Sequence, residues 1–267
     1  MKVLISGSNG YIGSHVTKMF VESGFDVSTF SRSSGVLPHA WKFTNVLSDF
    51  SGYFDIVVNC ACPHWSEFSP EEIVDIESKL LTQLDRLAAD GTTKIHTSGV
   101  CLFGNASHND LKEFRLKPDT VTIGCAIKKK WHVVYCPSLV YGGENCQLKR
   151  IVDSLSDQTL QVAIPSQGYN QYIHVHDIAR FYLALVQGKR PPTQHFIAET
   201  KGYSPEAFSQ LLLDFRVVKQ VHESSWSDFE KCHGSSAVEI EKLNLNLPIS
   251  PLFESTESLR KYIENYT

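Results

Sequence analysis

The chain has 267 residues, 42% of them hydrophobic, so it can bury one substantial core or a main core with a small appended lobe. Its 25 Lys and Arg residues against 29 Asp and Glu give a formal charge of −4, which argues against nucleic acid as the main partner. No apolar run reaches the roughly 18 residues of a membrane span, and a strand rather than a signal peptide opens the chain. We therefore expect no membrane partner and a cytoplasmic location.

Cysteine usage indicates neither a metal site nor a disulfide framework. The seven cysteines are scattered and lack the paired spacing of a zinc site. Most lie in apolar, strand-like segments, so we predict reduced residues of the core and no bound metal. They are Cys60, Cys62, Cys101, Cys125, Cys136, Cys146 and Cys232.

A glycine pattern near the N-terminus lies between a strand and a helix. Val3–Ser6 is the first predicted strand, and an amphipathic helix is predicted from Ser14 to Glu22. Glycines between them would permit a tight turn and let a pyrophosphate approach the N–H groups that open the helix. The alternative is a turn without a ligand, but the flanking strand and helix favour a dinucleotide. The predicted contacts are Gly7, Asn9, Gly10, Tyr11, Ile12 and Gly13.

Strands and helices alternate through the first half of the chain, as in parallel βαβ units. A helix is predicted from Pro70 to about Ala89, with Ser69 as N-cap, and it ends near Gly91. Its apolar residues, Ile73, Ile76, Leu80, Leu81, Leu84 and Leu87, are assigned to one face. The further strands are predicted at 27–31, 55–59, 94–97 and 132–136.

The second half is less regular and predicts a smaller lobe. A strand at 172–175 precedes a helix that Asp177 would cap at its N-terminus and that continues to Leu185. We expect a dinucleotide-binding domain over residues 1–142, with later strands returning to its sheet near 172–198, and a lobe mainly over 143–267. The remaining predicted elements are a strand at 195–198, a helix at 205–215, a strand at 217–221 and a helix at 254–262.

Several segments together resemble the extended short-chain dehydrogenase/reductase family, the NAD-dependent epimerase/dehydratase group that acts largely on nucleotide sugars. The glycines match its Gly-x-x-Gly-x-x-Gly motif, and Asn59–Cys62 is similar to its His-x-Ala-Ala element, which makes Cys60 and Ala61 cofactor contacts. Cys136–Gly142 resembles its Arg-Pro-Ser-x-Val-Tyr-Gly segment, Tyr172–Ala179 its substrate-lobe strand and helix, and Ile240–Tyr266 its closing segment.

The resemblance implies an α/β fold and a small-molecule substrate. The expected architecture is a Rossmann-like, doubly wound parallel sheet with a small C-terminal substrate lobe. The substrate class would be a nucleotide sugar or a related compound, and the assembly could be a homodimer.

The end of the second strand indicates which dinucleotide binds. NAD enzymes place a carboxylate there against the ribose 2′-hydroxyl, whereas NADP enzymes place a cation against the 2′-phosphate. Here Ser31, Arg32 and Ser33 provide a cation with flanking hydroxyls and no acid. We therefore predict NADP(H), with NAD as the alternative, although Arg32 could simply be solvated. Asn45 stands where the family usually places an Asp near the adenine.

The family's catalytic Tyr-x-x-x-Lys motif is absent, because none of the ten tyrosines has a Lys four positions later. Alignment from Thr97–Gly104, which resembles the family's Ser-Ser-x-x-Val-Tyr-Gly, puts Gly99 at the Ser position, Gly124 at the Tyr position and Lys128 at the Lys position. Counting back from Pro137 instead puts the pair near Leu111 and Arg115. Both alignments lose the acid/base.

Other side chains could take over proton transfer or ribose binding. Lys128, Ser98 and Tyr141 are the candidates, and each has a structural alternative: a solvated helix end, a strand end and a packing residue. His64, His174 and His176 are further, weaker candidates. Two hypotheses follow: an NADP(H)-dependent oxidoreductase or epimerase-like protein with an altered catalytic set, or a cofactor-binding regulatory subunit without chemistry.

Overall fold

The structure, a computed structural model, describes residues 1–31, 42–44, 50, 52–63, 67–103, 121–188 and 190–266. It forms two compact units. The first comprises Met1–Ser98, Pro118–Tyr135 and Ile178–His195, and the second comprises Gly99–Lys117, Cys136–Asp177 and Phe196–Thr267. No helix within the described ranges is long and apolar enough to cross a membrane.

The described strands are β1 (Lys2–Ser6), β2 (Asp26–Phe30), β3 (Lys42–Thr44), β4 (Phe54–Asn59), β5 (Ala88–Gly99), β6 (His132–Cys136), β7 (Leu139–Tyr141), β8 (Thr159–Ala163), β9 (Tyr172–His174), β10 (Gln194–Phe196) and β11 (Gln220–Ser224). The described helices are α1 (Tyr11–Glu22), α2 (Pro70–Arg86), α3 (Val121–Lys128), α4 (Gln147–Asp153), α5 (Val175–Gly188), α6 (Pro205–Asp214), α7 (Trp226–His233), α8 (Ser235–Glu241) and α9 (Leu259–Glu264).

The first unit is built on a seven-stranded sheet of order β10-β6-β5-β4-β1-β2-β3. The β1–β2, β1–β4, β2–β3 and β4–β5 pairs are parallel. Strand β1 is buried between its neighbours, with Val3, Leu4 and Ile5 all inaccessible to solvent, as expected where helices cover both faces of a parallel sheet. The order reverses at β1, which is the topology of doubly wound dinucleotide-binding folds. The predicted fold class is confirmed.

Helix α2 begins where the sequence predicted. Ser69 is its N-cap: the Glu72 amide donates to the Ser69 hydroxyl at 3.3 Å, and the Ser69 amide donates to the Glu72 carboxylate at 2.8 Å. This reciprocal pair, with Pro70 at the first helical position, defines the start of the helix. The predicted end of the helix is wrong, because α2 ends at Arg86 and β5 begins at Ala88. Of its apolar residues, Leu81 and Leu84 are buried.

The second unit contains two small parallel sheets, β8 with β11 and β7 with β9. Apolar side chains from β7, β9, α4, α6 and α9 form its core, which includes Tyr141, Tyr172, Leu211, Leu259 and Ile263. Strand β8 and helices α7 and α8 were not predicted. The strand expected at 217–221 lies at Gln220–Ser224, and the closing helix starts at Leu259 rather than at Glu254.

Asp177 does not cap α5, contrary to the sequence prediction. It lies inside the first turn of α5, and its carboxylate accepts hydrogen bonds from a distant segment. The donors are the hydroxyls of Ser255 and Thr256, at 3.1 and 2.9 Å, and the amides of Thr256 and Glu257, at 3.3 and 3.2 Å. Asp177 therefore fixes the segment that precedes α9.

All seven cysteines are free thiols, but they do not all lie in the core. Cys136 and Cys146 are buried, and Cys60 and Cys125 are half-buried. Cys62, Cys101 and Cys232 are exposed, so the core prediction is wrong for these three. Cys62 and Cys101 lie just after the ends of β4 and β5, where apolar neighbours in sequence do not guarantee burial, and Cys232 lies in the last turn of α7 between Lys231 and His233.

Candidate functional site

A cleft of about 520 Å³ opens in the first unit at the carboxyl end of β1. Four parts of the chain meet there: the turn from β1 into α1, the end of β2, the segment after β4, and one face of α2. Because the strand order reverses at β1, this is the edge where doubly wound sheets bind ligands. The fourteen lining residues are Ser6, Gly7, Asn9, Gly10, Phe30, Ser31, Cys60–Pro63, Ile76, Lys79, Leu80 and Gln83.

Close backbone packing explains two of the three motif glycines. Gly7 has φ +77°, and a Cβ there would lie 2.5 Å from the Ala61 amide nitrogen. A Cβ on Gly13 would overlap the Gly7 carbonyl oxygen. At these positions a side chain would therefore collide with the protein itself. The sequence predicts two roles for the glycines, a tight turn and ligand access, and the close backbone contacts at Gly7 and Gly13 account for the tight turn.

The turn presents the amino end of α1 to the cleft. Gly10 is the N-cap, and the Ser14 amide donates the first intrahelical bond to the Gly10 carbonyl at 2.9 Å. The backbone amides of the first helical turn come before Ser14 in the chain, so the helix itself provides no carbonyl group to accept their hydrogen bonds. Such a terminus carries partial positive charge and binds phosphate groups. Its geometry fits the pyrophosphate of a dinucleotide.

A buried side-chain pair holds the opposite wall in place. The side-chain nitrogen of Asn59 donates a hydrogen bond to His96 Nδ1 at 3.1 Å, and the backbone amide of Ala61 donates one to Asn59 Oδ1 at 3.2 Å. Burial lowers the pKa of His96 to about 4, so its ring is neutral at pH 7 and its Nδ1 can accept. Asn59 and His96 thereby fix the Cys60–Ala61 backbone against which Gly7 packs.

Helix α2 supplies a wall that the sequence reasoning missed. Ile76, Lys79, Leu80 and Gln83 line the cleft, and their i, i+3, i+4, i+7 spacing places them on one helix face. The predicted apolar stripe is thus divided: Leu81 and Leu84 enter the core, while Ile76 and Leu80 are half-buried beside the cleft. Periodicity could have identified the face but not its partner.

The structure brings six of the predicted cofactor residues together. Gly7, Asn9, Gly10, Ser31, Cys60 and Ala61 all line the cleft. The side-chain nitrogen of Asn9 donates a hydrogen bond to the Ser31 hydroxyl at 3.1 Å, which links the glycine turn to the end of β2. Tyr11, Ile12 and Gly13 form the first turn of α1 beside it. The residues Arg32, Ser33 and Asn45 lie outside the part of the chain that the structure describes.

The thiol of Cys60 is not suited to nucleophilic chemistry. Burial raises its pKa to about 12, an effect that a hydrogen bond from Thr97 only partly offsets. The Thr97 hydroxyl lies 3.3 Å from Cys60 Sγ and 2.7 Å from the Tyr182 hydroxyl. A chain of polar contacts therefore runs from the buried Tyr182 through the end of β5 to the cleft wall.

Two of the candidate catalytic residues lie in the first unit. Ser98 follows Thr97 in β5 and is half-buried. Lys128 is exposed in the last turn of α3, one helical turn after Gly124. A Cβ on Gly124 would meet nothing within 4 Å, so the position aligned with the family's Tyr has open space. Neither Ser98 nor Lys128 lines the cleft as described.

Tyr141, the third candidate, belongs to the core of the second unit. Its hydroxyl donates to the buried Glu199 carboxylate at 2.5 Å, and the Leu259 amide donates to the same carboxylate at 3.0 Å. Burial, with the neighbouring Glu199, raises the pKa of Tyr141 far above its usual value. A hydroxyl engaged in this way serves packing and fixes α9, and it is poorly placed to exchange protons with a substrate.

The weaker histidine candidates divide in the same way. His174 is buried next to Tyr141, with the rings in edge contact at 5.1 Å, and its Nδ1 accepts the His176 amide at 3.3 Å. His176 itself is exposed. The alternatives Leu111, Arg115 and His64 fall outside the described ranges.

The sequence matches a known family over its first part. The profile of the NAD dependent epimerase/dehydratase family matches residues 3–129, which span the glycine turn, the cleft walls and α3. The resemblance inferred from the motifs is thus confirmed. No curated protein matches the sequence at a significant level.

Several solved structures share the fold over nearly the whole chain. The human epimerase family protein SDR39U1 (isoform 2), solved with NADPH, is 14% identical with a TM-score of 0.79, covering 99% of this chain and 98% of that one. UDP-glucose 4-epimerase from Thermotoga maritima, solved with UDP-glucose, is 18% identical with a TM-score of 0.76, covering 99% and 96%. MoeE5, solved with UDP-glucose and NAD, is 15% identical with a TM-score of 0.69, covering 98% and 96%.

Proposed function

We propose that the protein binds NADP(H) in the cleft at the end of β1 and is an oxidoreductase or epimerase-like protein for a nucleotide sugar or related carbonyl compound. The observation that carries the proposal is the glycine turn at the point where the strand order reverses, with the amino end of α1 facing an open cleft. The similarity to structures solved with NADPH and with UDP-glucose supports the ligand classes.

Each wall of the cleft has a task in this proposal. The amides at the start of α1 bind the pyrophosphate, and Ile76 and Leu80 pack against the rings of the dinucleotide and exclude water. Arg32, which directly follows Ser31, binds the 2′-phosphate. The dinucleotide, when bound, supplies hydride transfer. Asn59 and His96 keep the Cys60–Ala61 backbone in position.

Proton transfer requires a group other than the family's Tyr, since Gly124 occupies the aligned position. Ser98 is our proposed residue, because it stands at the end of β5 directly before Gly99, the position aligned with the family's Ser. We assign Tyr141 to packing and Lys128 to the solvated end of α3. Ser98→Ala should lower turnover without changing the dissociation constant for NADPH.

A cofactor-binding regulatory subunit without chemistry is the second candidate. The observations that favour it are the glycine at position 124 and the engagement of Tyr141 by Glu199. The two functions differ in turnover. Absorbance at 340 nm should fall when the protein is mixed with NADPH and a 4-keto nucleotide sugar if it is a reductase. Tight NADPH binding with no turnover of 4-keto sugars, and no oxidation of nucleotide sugars by NADP⁺, would favour the regulatory subunit.

The choice of NADP(H) has its own test. Arg32→Ala should weaken NADPH binding by at least tenfold while changing NADH binding little, because only NADPH has the 2′-phosphate. Dissociation constants from fluorescence titration measure both. Equal weakening of the two dinucleotides would contradict the assignment of Arg32.

A further inference from the structure

Lys79 is the only charged side chain among the described residues that line the cleft. The others are neutral, and no carboxylate is among them. A dinucleotide carries negative charge on its pyrophosphate, and NADP(H) carries more on its 2′-phosphate. The described part of the lining therefore offers an anionic ligand one full positive charge besides the partial charge at the amino end of α1. The sequence reasoning did not select this residue.

Helix α2 fixes the backbone of Lys79 but leaves its ammonium group free to move. The capping box at Ser69 and the buried Leu81 and Leu84 hold the helix in place. The Lys79 side chain is 72% exposed, and its ammonium pairs with Asp75 at 2.6 Å, one turn earlier. Asp75 is itself 58% exposed, so water screens this ion pair and the contact is readily exchanged.

We propose that Lys79 binds a phosphate group of the dinucleotide, exchanging its contact with Asp75 for a charge-assisted hydrogen bond to a phosphate oxygen. The inference rests on the proposed function, since it requires a dinucleotide in the cleft. Lys79 carries its charge on a flexible four-carbon stem, and Leu80 and Ile76 on the same helix face line the cleft beside it. Lys79 is a binding residue in this account, with no part in proton transfer.

The test compares Lys79→Gln with Lys149→Gln by fluorescence titration of NADPH and NADH. Lys149 on α4 is a matched control, because it also forms an exposed i,i+4 pair, with Asp153 at 3.6 Å, and does not line the cleft. Lys79→Gln should raise the dissociation constant about tenfold, and Lys79→Arg should restore most of the affinity. Thermal melts of each variant verify that the fold is retained.

The two dinucleotides distinguish the two phosphate sources. If Lys79→Gln binds only NADPH more weakly, Lys79 contacts the 2′-phosphate. If the variant binds NADPH and NADH more weakly by the same factor, Lys79 contacts the pyrophosphate. The inference is overturned if the dissociation constants of Lys79→Gln for both dinucleotides stay within twofold of the wild-type values. It is also overturned if Lys149→Gln raises these constants as much as Lys79→Gln does. Failure of the wild-type protein to bind either dinucleotide would instead contradict the proposed function.

Discussion

Single residues in the cleft are constrained more by the protein backbone than by the ligand. Gly7 illustrates this, because its Cβ position is already taken by the backbone of Cys60 and Ala61. A ligand-binding motif can thus persist as a folding requirement. The glycine pattern predicts the turn directly and the dinucleotide only through the cleft that the turn helps to form.

Alanine substitutions at Gly7 and Gly91 together separate the energetic cost of close packing from the cost of the backbone conformation. Gly91 has the same φ of +77°, but a Cβ there would meet nothing within 4 Å. Gly91→Ala should cost about 1–2 kcal/mol of unfolding free energy, because an L-residue is strained at this φ. Gly7→Ala should cost about 3 kcal/mol or more, because the turn must also move away from β4. Urea denaturation measures both, and equal losses would refute the packing explanation.

Buried histidines make stability depend on pH. Burial lowers the pKa of His96 to about 4, and burial together with His132, 3.2 Å away, lowers that of His195 to about 4. The unfolded chain, with His pKa near 6.5, binds more protons than the folded protein between these values. The contribution of both rings is complete above about pH 6.5 and is lost progressively as the pH falls toward 4.

The His96→Asn variant isolates one of these protons. Asn keeps an acceptor for Asn59 but does not titrate. Between pH 4.5 and 6 the slope of unfolding free energy against pH should fall by up to about 1.4 kcal/mol per pH unit relative to the wild type. Urea titrations across this range measure it, and identical slopes would show that His96 is not held neutral.

At the scale of elements, α2 serves two environments with one apolar stripe. Leu84 is fully buried in the core of the unit, whereas Leu80, one turn away, is half-buried at the cleft. Hydrophobic periodicity predicted the helix and its apolar face. It did not distinguish core from cleft, because both environments select the same side chains.

Truncation of these two leucines should separate stability from binding. Leu84→Ala should cost about 2–5 kcal/mol of unfolding free energy, since it leaves a cavity in a packed core. Leu80→Ala should cost less than about 1 kcal/mol but weaken NADPH binding several-fold, because it removes part of the cleft wall. Denaturation and NADPH titration of both variants give the comparison. A large loss of stability in Leu80→Ala would place that residue in the core instead.

Over the whole molecule, structural features that depend on residues close together in the sequence were predictable, and features that depend on distant residues were not. The start of α2 followed from Ser69, Pro70 and Glu72, which act locally. The extension of β5 back to Ala88 was missed, because Ala88–Thr93 has no alternating apolar pattern and joins the sheet only through a register shift against β4. Asp177 was assigned to the correct end of α5 but to the wrong role, because the partners of its carboxylate lie about 80 residues later in the chain.

The candidate site was predictable to a similar extent. The residues that follow β1, β2 and β4 could be found from their motifs and strand ends, and six of them meet in the cleft. Lys79 and Gln83 could not, because an exposed polar residue on a helix has no local feature that points to a ligand. Tyr141 was a plausible acid/base by sequence, and only its contact with Glu199 shows that it is engaged elsewhere.

The most direct test of the central claim is a calorimetric titration of the wild-type protein with NADPH and, separately, with NADH. We expect saturable binding of one dinucleotide per chain, with NADPH the tighter ligand, and weaker NADPH binding by the Leu80→Ala variant. Folded wild-type protein that binds neither dinucleotide, or an affinity for NADPH that Leu80→Ala leaves unchanged, would contradict the assignment of the cleft.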